Sequence, residues 1–199
     1  MISELIGARI RTYTLRLGEM LARRGLTPNA LTAIGLMLNL VVAAIIASGH
    51  LVAGGVLLLL ASGFDMLDGA VARASGTVTK FGGFLDSTLD RYSEAVVLGG
   101  VLLYILGTED YWLGSLLVLT ATVGSLMISY ARARAEAAGF RASVGLLARP
   151  ERVVVLAVGL LIGQVIPALV ILAVGTQLTV ITRMAHVWRL SHPAEPGAS

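Results

Sequence analysis

The sequence predicts an all-α integral membrane protein with six transmembrane helices and an N-terminal interfacial amphipathic helix. Of its 199 residues, 56% are hydrophobic and only 14% are charged, whereas a soluble globular domain carries about 25% charged residues. The apolar residues form six runs separated by short polar segments. The basic residues gather at the ends of these runs, as they do on the cytoplasmic side of membrane proteins. We therefore expect a lipid bilayer as the main solvent and no nucleic-acid partner.

Residues 1–24 are predicted to form a juxtamembrane amphipathic helix. Arginines interrupt this segment, so we do not expect it to be a secretory signal peptide. The apolar residues that recur there at helical spacing are Ile2, Leu5, Ile6, Ile10, Tyr13, Leu17 and Leu21. Such a helix lies on the membrane surface and turns its arginines toward anionic headgroups.

Six spans are predicted within a transmembrane domain of residues 25–190, and residues 191–199 are expected to form a disordered tail. Thr27 suits a helix N-cap, and Pro28 suits the first helical position. The spans run from Thr27 to Ser48, from Leu51 to Arg73, from Phe81 to Leu106, from Tyr111 to Glu136, from Pro150 to about Gly163, and from about Pro167 to Trp188. Crossing the hydrocarbon takes about 20 helical residues. The fifth span and the apolar part of the second are shorter, so we expect both to end in a polar cavity.

The distribution of positive charge predicts the orientation in the membrane. The connections after the first, third and fifth spans contain no lysine or arginine, whereas the N-terminal segment and the other connections are basic. Loops rich in lysine and arginine remain in the cytoplasm. We therefore predict a multi-pass protein of the cell membrane with both termini on the cytoplasmic side. The absence of cysteine excludes a disulfide framework and a thiolate metal site.

Four of the five aspartates lie close together in the sequence, within residues 65–90. Asp65 and Asp68 are three residues apart on a helix, and Asp86 and Asp90 are four apart, so the members of each pair share a face. Both pairs lie near the cytoplasmic ends of adjacent spans joined by a short loop, so the two pairs can converge. Acidic residues at membrane depth are expensive and usually functional. We therefore expect an active site on the cytoplasmic side.

Four carboxylates need compensating charge in a pocket of low dielectric constant. Two divalent cations would balance them, and ligands that are all oxygen favour Mg²⁺ or Mn²⁺ over zinc. Two such ions about 4 Å apart form the usual clamp for displacement at phosphorus. The alternatives are salt-bridged structural aspartates and an ion-coupled transporter. A transporter would need carboxylates along the membrane depth, whereas these cluster at one end.

The aspartates belong to a longer motif. The sequence reads DMLDGAVAR from Asp65 to Arg73 and, after eight further residues, GGFLDSTLD from Gly82 to Asp90. At every fixed position it resembles the signature of the CDP-alcohol phosphatidyltransferases. A match of this length is far more specific than an ordinary short motif. The resemblance implies transfer of a phosphatidyl group from a CDP-linked lipid to a small alcohol.

The resemblance also implies roles for individual residues. The metal-binding positions are Asp65, Asp68, Asp86 and Asp90, and the resemblance makes Asp90 the proposed catalytic base. The positions that contact the CDP-lipid are Asn29, Ala30, Leu31, Thr32, Asp68, Gly69, Ala72, Arg73 and Thr79. An ordinary role in a loop or helix cap is the alternative for Thr79 and for the stretch from Asn29 to Thr32.

The second half of the chain indicates the acceptor alcohol. The segments from Ser129 to Gly139 and from Arg149 to Arg152 resemble those of the actinobacterial phosphatidylinositol phosphate synthases. This resemblance implies inositol phosphate as the acceptor, CDP-diacylglycerol as the donor, and a homodimer. The cations expected to bind the acceptor phosphate are Arg132, Arg134, Arg152 and Arg183. Glycerol 3-phosphate would suit the same arginines, as in a phosphatidylglycerophosphate synthase, and arginines at span ends also serve as headgroup anchors.

Overall fold

The computed structural model describes residues 20–21, 25–74, 76–142 and 144–192. Within these ranges every regular element is an α-helix. The helices are α1 (Pro28–Ala47), α2 (Leu51–Ala74), α3 (Lys80–Ile105), α4 (Tyr111–Ala137), α5 (Arg149–Leu161) and α6 (Val165–Ser191). The predicted amphipathic helix lies outside the described residues except for Met20 and Leu21, and the tail lies outside them beyond His192. Both remain predictions.

The helix ends follow the local signals in the sequence. Thr27 caps α1 as predicted, because its side chain accepts a hydrogen bond from the Ala30 N–H at 3.2 Å and Pro28 occupies the first helical turn. Thr79 has the same role at the start of α3, where it accepts from the Gly82 N–H at 2.9 Å. A capping side chain of this kind satisfies a backbone donor that has no partner within the helix.

Glycine ends the first two helices. Gly49 and Gly76 have φ angles of 85° and 67°, a left-handed conformation that costs glycine little. The N–H of the next residue then donates to a carbonyl in the last turn of the helix. His50 donates to the Ile45 carbonyl, and Thr77 donates to the Ala72 carbonyl. These two glycines therefore determine where the chain reverses after α1 and after α2.

The last helix is longer than the sequence indicated. We predicted an end near Trp188, and α6 continues to Ser191. No glycine or proline interrupts residues 188–192, and the next proline is Pro193. A proline disfavours helical geometry in the residue before it, so the helix continues as far as Ser191.

Four of the described helices are long and apolar enough to cross a membrane, namely α1, α2, α4 and α6. Helix α3 has 26 residues, but its first half carries Lys80, Asp86, Asp90 and Arg91, and Glu94 follows soon after. Helix α5 has only 13 residues, which makes it about 20 Å long at 1.5 Å per residue. That is less than the hydrocarbon thickness of about 30 Å, as expected from the short fifth span.

The chain divides into two compact units, Met1–Gly100 and Val101–Ser199. In the first unit, α1 and α2 form an antiparallel hairpin around the turn at His50. Three contacts between them pair Thr32 with Asp68, Gly35 with Asp65, and Ile46 with Gly54. In each pair the two residues are equally far from His50 in the sequence. The position of the turn therefore sets the register of this helix pair.

Helix α3 meets α1 at a close backbone contact in the same unit. A side chain at Gly100 would collide with the backbone of Ala43, so only glycine allows the two helices to approach this closely. Small residues have the same role wherever helices pack closely in membranes.

In the second unit, α4 and α5 both pack against α6. The connection between α4 and α5 is held on α6 by side-chain hydrogen bonds. The Thr179 hydroxyl accepts from the Leu147 N–H at 3.2 Å and donates to the Gly175 carbonyl at 2.8 Å. Arg183 donates through Nε to the Val144 carbonyl at 2.8 Å. The bonds to Leu147 and Val144 satisfy backbone groups of the connection, which have no partner within a helix.

Candidate active site

A cavity of about 320 Å³ opens in the first unit, where the start of α1, the end of α2 and the start of α3 come together. It is lined by Pro28, Asn29, Thr32, Asp68, Gly69, Ala72, Arg73, Thr77, Val78, Thr79, Gly82, Gly83 and Asp86. Most of the residues predicted to contact the CDP-lipid are therefore neighbours around one space. Two predicted contacts do not line it. Leu31 is 2% exposed in the core, and Ala30 donates its N–H to the Thr27 cap.

Pro28, Thr77, Val78, Gly82 and Gly83 line the cavity in addition. The two glycines belong to the aspartate motif, so the motif could have indicated them. Thr77 and Val78 have no comparable signal, because they reach the cavity only through the path of the chain after Gly76.

One part of the cavity is suited to anions. The first turns of α1 and α3 both reach it, through Pro28 and Asn29 and through Gly82 and Gly83. The N-terminal end of a helix carries partial positive charge, although the N–H groups of Gly82 and Gly83 already donate to Thr79. Arg73, in the last turn of α2, adds a full charge. Together these groups can bind a phosphate or diphosphate.

Gly69 leaves space for Arg73. A side-chain carbon at position 69 would lie 3.1 Å from Nη1 of Arg73, so the guanidinium lies across the glycine on the same helix. Gly82 faces Thr79 and Asn29 in a similar way, since an added carbon there would lie 3.0 Å from the Thr79 hydroxyl and 3.4 Å from Oδ1 of Asn29. The glycines of the motif thus leave space for the polar side chains that line the cavity.

Asp68 is the most buried of the four aspartates in the motif and is 7% exposed. Its Oδ2 accepts a hydrogen bond from the Thr32 hydroxyl at 2.8 Å, and its Oδ1 accepts from the Gly69 N–H. Each carboxylate oxygen has a second lone pair. Asp68 is therefore held in position and still has acceptor sites for a cation.

The other three aspartates occupy different surroundings. Asp86 lines the same cavity as Asp68. Asp65 lies against Gly35, where an added side-chain carbon would be 2.5 Å from its Oδ1. Asp90 lies one turn after Asp86 on α3, and its Oδ2 is 3.7 Å from Nη1 of Arg91.

The described residues do not contain three histidine, aspartate or glutamate side chains already gathered at metal-binding distances. The structure brings Asp68 and Asp86 to one cavity but does not assemble all four aspartates into one centre. The donor set nevertheless fits a hard cation, because carboxylate oxygens are the ligands that Mg²⁺ and Mn²⁺ prefer. The four-aspartate metal site remains a prediction.

The four arginines predicted to bind the acceptor phosphate lie in the second unit and differ in their surroundings. Arg152 and Arg183 are buried, at 5% and 6% exposure. Arg152 donates to the Leu147 carbonyl at 3.1 Å, and Arg183 donates to the carbonyls of Val144 and Ile128. Arg132 is exposed and pairs with Glu136 at 2.8 Å, and Arg134 is exposed. The sequence did not reveal these carbonyl partners, because Leu147 and Val144 lie in the connection between α4 and α5 and Ile128 lies on a neighbouring helix.

Comparison with known proteins identifies the family. The family profile for CDP-alcohol phosphatidyltransferase matches residues 25–188. The archaetidylinositol phosphate synthase of Pyrococcus horikoshii is 39% identical over 180 residues, which cover 90% of this chain and 93% of that protein. The phosphatidylinositol phosphate synthase of Mycobacteroides abscessus is 38% identical over 194 residues, which cover 92% and 84% of the two chains.

Two solved structures of the Mycobacterium tuberculosis phosphatidylinositol phosphate synthase share the fold. The complex with manganese and citrate has a TM-score of 0.84 and 34% identity, and the match covers 94% of this chain and 93% of that one. The structure with CDP-DAG bound has a TM-score of 0.84 and 33% identity, covering 94% and 98%. The chain therefore belongs to the CDP-alcohol phosphatidyltransferase family, and its apolar helices make it a multi-pass membrane protein of that family.

Proposed function

We propose that this protein transfers the phosphatidyl group from CDP-diacylglycerol to inositol phosphate, releasing CMP and forming phosphatidylinositol phosphate. The observation that carries the proposal is the cavity that joins Asp68, Arg73 and Asp86 of the motif to the first turns of α1 and α3. The name of the M. abscessus relative and the CDP-DAG bound to the M. tuberculosis enzyme support the same substrates.

The donor's diphosphate suits the anion-binding part of the cavity. The two helix N-termini and Arg73 can bind its negative charge. Gly69 and Ala72 have little or no side chain, so the cytidine can approach the backbone of α2 closely. The lipid part of the donor would remain in the bilayer, which favours lateral entry.

We expect Mg²⁺, or alternatively Mn²⁺, to be held by Asp65, Asp68, Asp86 and Asp90. The manganese complex of the M. tuberculosis enzyme supports a divalent ion in this fold. When bound, such ions stabilise negative charge on phosphoryl oxygens during displacement at phosphorus. The four carboxylates supply four negative charges, which two divalent ions would balance.

The chain's own groups then act in sequence. Asp90 accepts the proton of the acceptor hydroxyl, whose oxygen attacks the phosphorus on the lipid side of the diphosphate. The bond from that phosphorus to the bridging oxygen breaks, and CMP leaves with the electron pair. Arg73 and the helix N-termini stabilise the charge on CMP. General base catalysis contributes roughly 10²–10⁴-fold, and positioning of the two substrates contributes further.

The acceptor phosphate is expected to bind the arginines of the second unit, Arg132, Arg134, Arg152 and Arg183. A guanidinium has five N–H donors, and the two carbonyl bonds of Arg183 use only two of them. A buried arginine held by backbone carbonyls is already ordered, which reduces the entropy lost when it binds a phosphate.

In the membrane, we propose that α3 and α5 complete six spans and that the active site and both termini face the cytoplasm. The charge distribution between the loops supports this orientation. The short α5 and the charged first half of α3 fit helices that end beside a polar cavity rather than in lipid. A homodimer remains a prediction from the family resemblance.

The decisive experiment measures CMP release by the purified protein in detergent with Mg²⁺ and CDP-diacylglycerol. Inositol phosphate, inositol, glycerol 3-phosphate and serine are each supplied alone. Because the P. horikoshii relative is an archaetidylinositol phosphate synthase, CDP-archaeol is tested as a second donor. We expect CMP release with inositol phosphate only.

The other outcomes identify the alternatives. Release with glycerol 3-phosphate alone would keep the mechanism and overturn the acceptor. Release with CDP-archaeol but not with CDP-diacylglycerol would keep the acceptor and change the donor lipid. Cation flux in liposomes without any CMP release would support the ion-coupled transporter.

A further inference from the structure

We infer that α1 determines where two of the motif carboxylates stand, through a hydrogen bond from Thr32 and the missing side chain of Gly35. Both are positioning residues, because each acts on an aspartate of α2 and neither is assigned a ligand role at the metal. The inference rests on the proposed function, since it assumes that Asp65 and Asp68 bind a divalent cation.

Thr32 orients Asp68 by direct contact. Its hydroxyl donates to Oδ2 of Asp68 at 2.8 Å, and both residues are buried, at 9% and 7% exposure. The same hydroxyl lies 3.1 Å from the Pro28 carbonyl, one turn earlier on α1. Threonine has few side-chain rotamers in a helix, and its hydroxyl commonly lies near the carbonyl four residues before it. The limited choice of rotamers on α1 thus already places the Thr32 hydroxyl close to Asp68.

Gly35 acts on Asp65 by leaving space. A side-chain carbon at position 35 would lie 2.5 Å from Oδ1 and 3.6 Å from Cγ of Asp65. The carboxylate therefore occupies a volume that any other residue at position 35 would fill. Asn39, one turn further along α1 and 4% exposed, donates to the Gly35 carbonyl at 2.9 Å. That bond ties a buried polar side chain to the backbone beside Asp65.

The two contacts are adjacent positions of one helix interface. Asp65 and Asp68 are three residues apart on α2, and Gly35 and Thr32 are three apart on the antiparallel α1. Residues at this spacing lie on one face of each helix. Helix α1 thus defines the relative position of two carboxylates that the proposed function assigns to one metal centre. Ligand distances at metal sites tolerate deviations of only about 0.2 Å.

The test measures Mn²⁺ binding to the purified protein without donor or acceptor, by electron paramagnetic resonance of the free ion. Thr32→Val keeps the branched shape and removes the hydroxyl, and Thr32→Ser restores it. We expect Thr32→Val to raise the Kd for Mn²⁺ by roughly 10–100-fold, the usual effect of losing a group that orients a ligand. Thr32→Ser should return it to within about threefold of wild type.

Gly35→Ala should weaken Mn²⁺ binding by a similar factor. Its matched control is Gly63→Ala on α2, because nothing lies within 4 Å of a carbon added there, and this variant should bind Mn²⁺ like wild type. The thermal midpoint without metal is measured for every variant. If Gly35→Ala does not fold, the comparison of Thr32→Val with Thr32→Ser still tests the inference.

Wild-type Mn²⁺ affinity in both Thr32→Val and Gly35→Ala would overturn the inference. Failure of Thr32→Ser to restore binding would also overturn the role of the hydroxyl, and a wild-type protein that binds no Mn²⁺ would remove its basis. These results are distinct from failure of the proposed function. A protein whose Mn²⁺ binding depends on Thr32 but which releases no CMP with any acceptor would support the inference and refute the reaction.

Discussion

Replacing Arg183 with methionine separates a structural role from a ligand role. Methionine retains an unbranched apolar side chain and removes every hydrogen-bond donor. Arg183 is 6% exposed and donates to the carbonyls of Val144 and Ile128. Val144 lies in the connection between α4 and α5, whereas Ile128 lies inside α4. The substitution therefore removes a bond that holds the connection on α6.

The magnitude follows from the two acceptors. A hydrogen bond to a charged donor contributes about 1.5–3 kcal/mol. The Ile128 carbonyl can also accept a hydrogen bond within its own helix. Losing its bond from Arg183 therefore costs little stability. The Val144 carbonyl, bonded at 2.8 Å, would lose this donor. Removing a buried charge offsets part of the cost, so we expect a loss of about 1–2 kcal/mol. For a chain of this size the thermal midpoint would fall by roughly 2–8 °C.

The assay combines thermal unfolding in detergent with the KM for inositol phosphate. The control for the thermal midpoint is Arg132→Met, since Arg132 forms an exposed pair with Glu136 and exposed pairs contribute about 0–1 kcal/mol. Arg183→Lys should recover only part of the lost stability, because one ammonium group cannot reproduce the planar set of donors. If Arg183→Met keeps the wild-type midpoint while the KM rises, Arg183 is a ligand for the acceptor and the structural reasoning is wrong.

Three further predictions concern the active site and the packing. Asp90→Asn should abolish CMP release and leave CDP-diacylglycerol binding intact, and near-normal turnover would contradict its role as the base. Arg73→Ala should lower kcat/KM for the donor by roughly 10–100-fold, from the loss of a charged hydrogen bond of about 1.5–3 kcal/mol; an unchanged value would place the diphosphate elsewhere. Gly124→Ala should destabilise the second unit by about 1–3 kcal/mol, because the added carbon would collide with Thr176. Gly99→Ala, which has open space around it, should raise the thermal midpoint through the better helix propensity of alanine; equal midpoints for the two variants would contradict the packing argument.

Local signals made much of the fold predictable. The Thr27 cap is confirmed by its hydrogen bond to the Ala30 N–H, and the reversal around Gly49 lies where the sequence placed it. Capping and left-handed turns depend on a few neighbouring residues, so they can be recognised without knowledge of the rest of the chain. The end of α6 was harder to predict, because no breaking residue follows Trp188 until Pro193.

The candidate site was predictable where its residues belong to one motif. Asp68 and Asp86 were expected to converge, and they line the same cavity. Leu31 was expected to contact the CDP-lipid, yet it is buried in the core. Sequence position alone did not indicate this burial, because which face of α1 turns toward the cavity depends on how α1 packs against α2 and α3.

By itself, the sequence determined the helical class, the membrane environment, the main turns and the family, because each depends on composition or on residues close together in the chain. Only the tertiary structure decided the partners that come from distant segments. Thr32 donates to Asp68, Gly35 makes room for Asp65, and Arg183 binds the carbonyl of Val144. These contacts join residues at least 30 positions apart. They arise because helices pack in one register, and that register follows from the interlocking of whole helix surfaces rather than from any local signal.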